Sequence, residues 1–150
     1  MTDVERFEVQ RPIAADAATI FSVLCDPMGH VAIDSSGMLM DAEGAPVGAV
    51  GDTFVVHMDR EALNDRPIGK YDATVVITAF EADRLIEWTP SVEHGYCFGY
   101  ELEPIDDGCR VTSYCDWSIR AERGERHDGF PLIPVTTLRA GLGILARTVE

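Results

Sequence analysis

Lysine is almost missing. Lys70 is the only one, and the 12 basic residues face 26 acidic ones, for a net charge of −14. A surface of that sign repels phosphates, so no nucleic acid is expected as a partner and anionic membranes are disfavoured. No apolar run approaches the ~18 residues of a membrane span. The opening MTDVERFEVQ is charged and has no apolar signal core, so a cytoplasmic location is expected. Repeats, low-complexity tracts and linkers are absent as well, and a single domain over 1–150 is expected. Cys25, Cys97, Cys109 and Cys115 form no C-x-x-C, and no histidine stands at zinc-ligand spacing from them. A Gly-rich phosphate loop and a Ser-His-Asp order are lacking too. Neither metal nor cofactor is expected.

What is present centres on Pro131–Glu150. Leu138, Leu142, Leu145 and Val149 follow at helical spacing on one face, with Gly141 at its edge. A helix over that stretch is roughly 28 Å long and suits the span of a curved sheet. Upstream, Phe7 and Val9 alternate with Glu8 and Gln10, as in a strand over Arg6–Pro12. Asp16 can cap a helix whose apolar face is Ile20, Val23 and Leu24, ending at Asp26-Pro27. Pro27 can start a second short helix, Met28 to Ile33. Strands are expected near Met38–Met40, over Asp52–Arg60, over Tyr71–Phe80 with Ala73, Val75, Ile77 and Ala79 on one face, and over Arg84–Thr89. Arg120–Gly129 alternates in charge and reads as a solvated loop.

The last hairpin can be phased. Asp107-Gly108 is a strong two-residue turn signal. Centred there, Phe98 faces Trp117, Tyr100 faces Cys115 and Leu102 faces Ser113. Glu101, Glu103, Arg110, Thr112, Tyr114 and Asp116 take the other side. The phase puts Cys97 outside and Cys115 inside, against a disulfide between them. One strand, two short helices, about six antiparallel strands and one long helix make an α+β fold, a curved sheet wrapped on the C-terminal helix.

RPIAADAATIFSVLCDP resembles the opening of the START-like, or SRPBCC, superfamily. VVITAFEADRLIEW resembles the strand-turn-strand segment of its polyketide cyclase/dehydrase-like branch, and LRAGLGILARTVE resembles its closing helix. The resemblance implies a helix-grip fold with a cavity between sheet and long helix. Relatives bind lipids, sterols, polyketides or plant hormones, some cyclise polyketides, and others bind ubiquinone or associate with ribosomes. Many carry a tryptophan in the second short helix, where HVAIDSSG stands here.

The inward face of the sheet is rich in methionine and in aromatics with polar tips, which suit an adaptable pocket. The expected ligand-binding set is Met38, Phe54, Met58, Val75, Ile77, Trp88, Phe98, Tyr100, Cys115, Trp117, Leu138, Gly141 and Leu142. The expected partner is a small hydrophobic molecule, with the chain a monomer or homodimer. His30 and Asp34, four apart, can share a helix face and form the pocket's polar end, His30 as general acid or base and Asp34 orienting it. His57 falls on the outward side, and His94 and His127 in loops. Binding of a lipid, sterol or polyketide-like aromatic is the first functional expectation. A cyclase/dehydrase-like enzyme using His30 and Asp34 is the second, and a toxin-like or ribosome-interacting protein the third.

Overall fold

Local signals place most of the elements. The computed structural model describes residues 5–65, 67–90, 93, 95–124 and 134–150. Its elements are β1 (Arg6–Ile13), α1 (Ala17–Cys25), α2 (Pro27–Ile33), β2 (Leu39–Glu43), β3 (Thr53–Asp59), a 3-10 turn (Arg60–Leu63), β4 (Lys70–Glu81), β5 (Leu85–Thr89), β6 (Cys97–Ile105), β7 (Gly108–Asp116), α3 (Ser118–Glu122) and α4 (Val135–Val149). Among the described residues, seven strands form one antiparallel sheet in the order β1-β7-β6-β5-β4-β3-β2. The short helices follow β1 and the long helix closes the chain, the α+β arrangement expected.

The first two helices meet at a corner built by Asp26, Pro27 and Gly29. The Thr19 N–H donates to Asp16 Oδ1 at 2.7 Å and caps α1. Asp26 ends α1 and caps α2, its Oδ1 accepting from the Met28 N–H at 3.1 Å, with Pro27 in the first turn. At Gly29 an added Cβ would lie 1.9 Å from the Val23 carbonyl oxygen. The helices therefore cross with backbone against backbone, and only glycine fits there. Ile20, Phe21, Leu24 and Ile33 enter the core from this corner.

The last hairpin is offset from the expected register. Phe98 pairs with Cys115, Tyr100 with Ser113 and Leu102 with Val111, so the turn is Asp106-Asp107 and not Asp107-Gly108. The slip is two residues, and every side chain keeps its expected face. Asp107 takes the left-handed conformation itself, at φ 66°. Gly108 answers a different need: a Cβ there would sit 2.1 Å from the Ile13 carbonyl oxygen. A bulge in β4 between Ile77 and Ala79 also departs from expectation, because it turns Ala79 away and brings Phe80 opposite Ile86. Phe80 then packs edge-on against Phe21 at 5.4 Å.

Two boundaries change as well. Ser118–Glu122 is helical where the loop was expected to begin. Both the backbone N–H and the hydroxyl of Ser118 donate to Asp116 Oδ1, at 2.9 and 2.6 Å, which closes a turn where the helix begins. The long helix begins at Val135 after Pro134, and 131–133 lie outside the described residues. Its 15 residues span about 22 Å. Leu138, Leu142, Leu145 and Ala146 are buried on it, and it packs chiefly on β1 and β7. Among the described residues no helix is long and apolar enough to cross a membrane.

Gly29→Ala should lower stability by about 1–3 kcal/mol in urea denaturation, because the carbonyl it meets cannot withdraw. Gly48→Ala is the control. Nothing lies within 4 Å of a Cβ built there, and its change should stay within about 0.5 kcal/mol.

Candidate functional site: a cavity under the helices

Alternation along β3 sends Phe54, Val56 and Met58 inward, opposite Val75, Ala73 and Tyr71 of β4. Arg60 continues the same row just past the strand. From Phe54 to Arg60 the row runs roughly 20 Å. Trp88 of β5 and Phe98 and Tyr100 of β6 complete this wall. Trp88 stacks at 26° on both Phe98 and Tyr100, with centroids 6.2 and 5.7 Å away. The cover comes from His30 and Ile33 of α2, from Ser35 and Met38 beyond it, and from Leu138 and Gly141 of α4. Ser35 ties the two covers together, its hydroxyl donating to the Thr137 carbonyl at 2.6 Å. Between wall and cover lies a cavity of about 670 Å³.

His30 borders this cavity and is only 7% exposed. Its Nε2 lies 2.7 Å from the Leu24 carbonyl oxygen. A carbonyl only accepts, so Nε2 carries the proton and Nδ1 holds a lone pair in the neutral ring. The ring stands edge-on to Trp88 at 4.7 Å and tilts against Phe54 at 5.3 Å. Burial lowers its pKa, and the bond to Leu24 opposes that only in part.

The expected hydrogen bond between His30 and Asp34 is not made. Asp34 Oδ1 accepts from the Ser36 N–H and hydroxyl at 3.0 and 2.7 Å, and Oδ2 accepts from the Leu39 N–H at 3.3 Å. The reason is local. Asp34 caps α2 at ψ 128°, so the chain has left the helix and the four-residue spacing no longer brings the two side chains together.

At the far end of the row, Arg60 is 5% exposed along its side chain. Its Nε and Nη2 donate to the two oxygens of Asp65 at 3.0 and 2.8 Å. Those bonds raise its pKa against the effect of burial. Tyr71 and Tyr96 line the cavity near this guanidinium. Burial pushes the Tyr96 hydroxyl up to about 12, and it does the same at Tyr100, where a Ser113 hydrogen bond opposes it.

Of the expected ligand set, Met38, Phe54, Met58, Val75, Trp88, Phe98, Tyr100, Leu138 and Gly141 line the cavity. Ile77, Cys115, Trp117 and Leu142 do not. They are buried in the solid core, Cys115, Trp117 and Leu142 where α4 packs directly onto the sheet at β1 and β7, and Ile77 on β4. Gly141 faces Ile33 and Ser35 rather than a tryptophan layer. A Cβ there would meet only the Ile33 carbonyl and the Ser35 hydroxyl, both at 3.8 Å, so close packing does not demand the glycine. Arg60 and Tyr71 were missed, although simple extension of the inward alternation on β3 and β4 places both. His57 lies on the outer face, between Asp72 at 2.7 Å and Glu43 at 3.0 Å. His94 and His127 lie outside the described residues. All four cysteines are free thiols.

No protein-family profile matches the chain. The uncharacterized protein Rv0088 of Mycobacterium tuberculosis is 30% identical over 107 residues, which is 70% of this chain. The chain spans only 44% of that relative's length. Among solved structures, the KanY protein aligns over 100% of this chain and 99% of its own, at TM-score 0.71 and 16% identity. The AHSA1-like protein from Aeromonas hydrophila aligns over 97% and 92%, at 0.62 and 16% identity. The Polyketide_cyc-like protein Cgl2372 from Corynebacterium glutamicum aligns over 100% and 94%, at 0.61 and 19% identity. At these identities the likeness is one of fold.

The two described histidines should titrate on opposite sides of 6.5 in an NMR pH series, His57 above and His30 below. The Asp72 and Glu43 hydrogen bonds raise His57, so its stabilising contribution is present below about 6.5 and fades as pH rises through the raised value. His30 works the other way: its buried neutral ring costs stability as pH falls below about 6.5. A His30 titration above that value would mean that the ring is not held in its buried site.

Proposed function

We propose that this START-like, helix-grip chain binds one small, mostly hydrophobic molecule between its sheet and its C-terminal helix. The ligand classes in view are lipids, sterols and polyketide-like aromatics. One observation carries the reading: a cavity of about 670 Å³ walled by Phe54, Val56, Met58, Val75, Trp88 and Phe98 and capped by Leu138. Ligand cavities usually hold about 300–1,000 Å³ and present few polar groups. The interior of a folded chain is otherwise close-packed. In this reading Ile77, Cys115, Trp117 and Leu142 are packed core beside the cavity and not ligand contacts. The Polyketide_cyc-like description of the Corynebacterium glutamicum neighbour agrees with an aromatic ligand.

His30 supports a second reading, a cyclase/dehydrase-like enzyme. Its Nδ1 lone pair, held by the Leu24 bond on the other nitrogen, would take a proton from a substrate seated on Trp88. Asp34 would act through its charge alone.

Native mass spectrometry of freshly purified protein should detect one retained small molecule per chain, and an environment-sensitive dye should bind at about one per chain. Trp88→Ala and Tyr100→Ala should weaken dye binding while the protein stays folded. Unchanged binding in both would place the ligand elsewhere. Gly141→Leu fills the cavity from the helix side. It should keep the fold, remove a helix glycine that costs about 1 kcal/mol, and abolish dye binding. A loss of about 1–3 kcal/mol instead would mean that the space is packed. For the enzyme reading, His30→Gln should abolish turnover with dye binding retained, and equal turnover by the variant would end that reading.

A further inference from the structure

Nδ1 of His30 has no hydrogen-bond partner among the described residues, although the residue is 7% exposed. Buried polar atoms are paired in the great majority of cases, and one without a protein partner needs another explanation. The rest of the ring is accounted for: Nε2 on Leu24, one side on Trp88 and one on Phe54. Resting on the binding reading above, we infer that the cavity selects an apolar ligand bearing a neutral hydrogen-bond donor, a hydroxyl seated on His30 Nδ1, and selects against carboxylates.

Three observations support the second half. A carboxylate has only lone pairs to offer the Nδ1 lone pair. Among the described residues the cavity lining carries Asp34 and Glu93 against Arg60, the Asp72 carboxylate being turned to the outer face, on a chain of net charge −14, so the field repels an incoming anion. Arg60 would be the natural carboxylate anchor, but it already holds both oxygens of Asp65. Other polar groups near His30 are taken. Asp34 holds Ser36 and Leu39, and Ser35 holds Thr137. At the His30 end of the cavity, specificity then comes down to one acceptor beside an aromatic wall.

Isothermal titration calorimetry with 2-naphthol, naphthalene and 2-naphthoate at pH 7.5 tests this on the wild-type chain. These probes share one ring system and differ only in the polar group. The expected order is 2-naphthol tighter than naphthalene by roughly five- to tenfold, the worth of one net hydrogen bond, with 2-naphthoate weakest. In His30→Phe the ratio between 2-naphthol and naphthalene should fall to about one. Equal affinities for 2-naphthol and naphthalene in the wild type overturn the donor preference and leave the binding reading intact. Tighter binding of 2-naphthoate overturns it in favour of Arg60. No binding of any of the three overturns the binding reading and this inference with it. If His30→Phe does not fold, the wild-type series alone still decides.

Discussion

A curved sheet of seven strands has more apolar inner face than one 15-residue helix can cover. α4 seats on β1 and β7 at one side, while α2 seats on β2 and β3 at the other. Where α4 touches the sheet directly, Cys115, Trp117 and Leu142 form solid core. Between the two covers part of the face of β3 to β6 is bridged rather than filled, and the cavity is that remainder. The gap persists because both covers are anchored. Gly29 locks α2 onto α1 at backbone distance, and Ser35 ties the end of α2 to α4.

The walls show how a fold can keep polar groups in an apolar space. Arg60 is buried with its charge matched by Asp65 through two bonds. His30 is buried as the neutral ring, one nitrogen satisfied by a helix-end carbonyl that would otherwise lack a donor. The same corner that brings α2 close enough for that bond also sets the ring against Trp88 and Phe54. Position, tautomer and ring orientation therefore share one cause, the α1–α2 crossing.

The outer face uses a related device. Tyr114 points outward yet is only 2% exposed, because its ring lies over Gly99, where a Cβ would be 2.3 Å away. Its hydroxyl donates to Glu87 at 2.8 Å, and the Arg6 guanidinium sits 3.8 Å above its ring. Burial raises the Tyr114 pKa, and the hydrogen bond to Glu87 adds to that. This patch holds β5, β6, β7 and β1 together across their backs and leaves the inner side free to form a cavity.

By itself the sequence determined what depends on near neighbours. Period-two alternation set the faces of β3, β6 and β7, and of β4 as far as its bulge after Ile77, so a two-residue slip in the last hairpin moved no side chain to the wrong side. Asp16, Asp26 and Pro27 set the helix ends, and the leucine stripe set the buried face of α4. Tertiary structure alone decided which inward residues touch the cavity. Phe54 and Trp117 look alike in a one-dimensional pattern, and only the distance of the covering helix separates wall from core. It also decided the partner of His30. The spacing pointed to Asp34, four residues on, but that residue already lies outside the helix, and the bond goes six residues back to Leu24. Periodicity carries direction along one element, whereas cavity volume and the pairing of a buried nitrogen depend on where a second element stops.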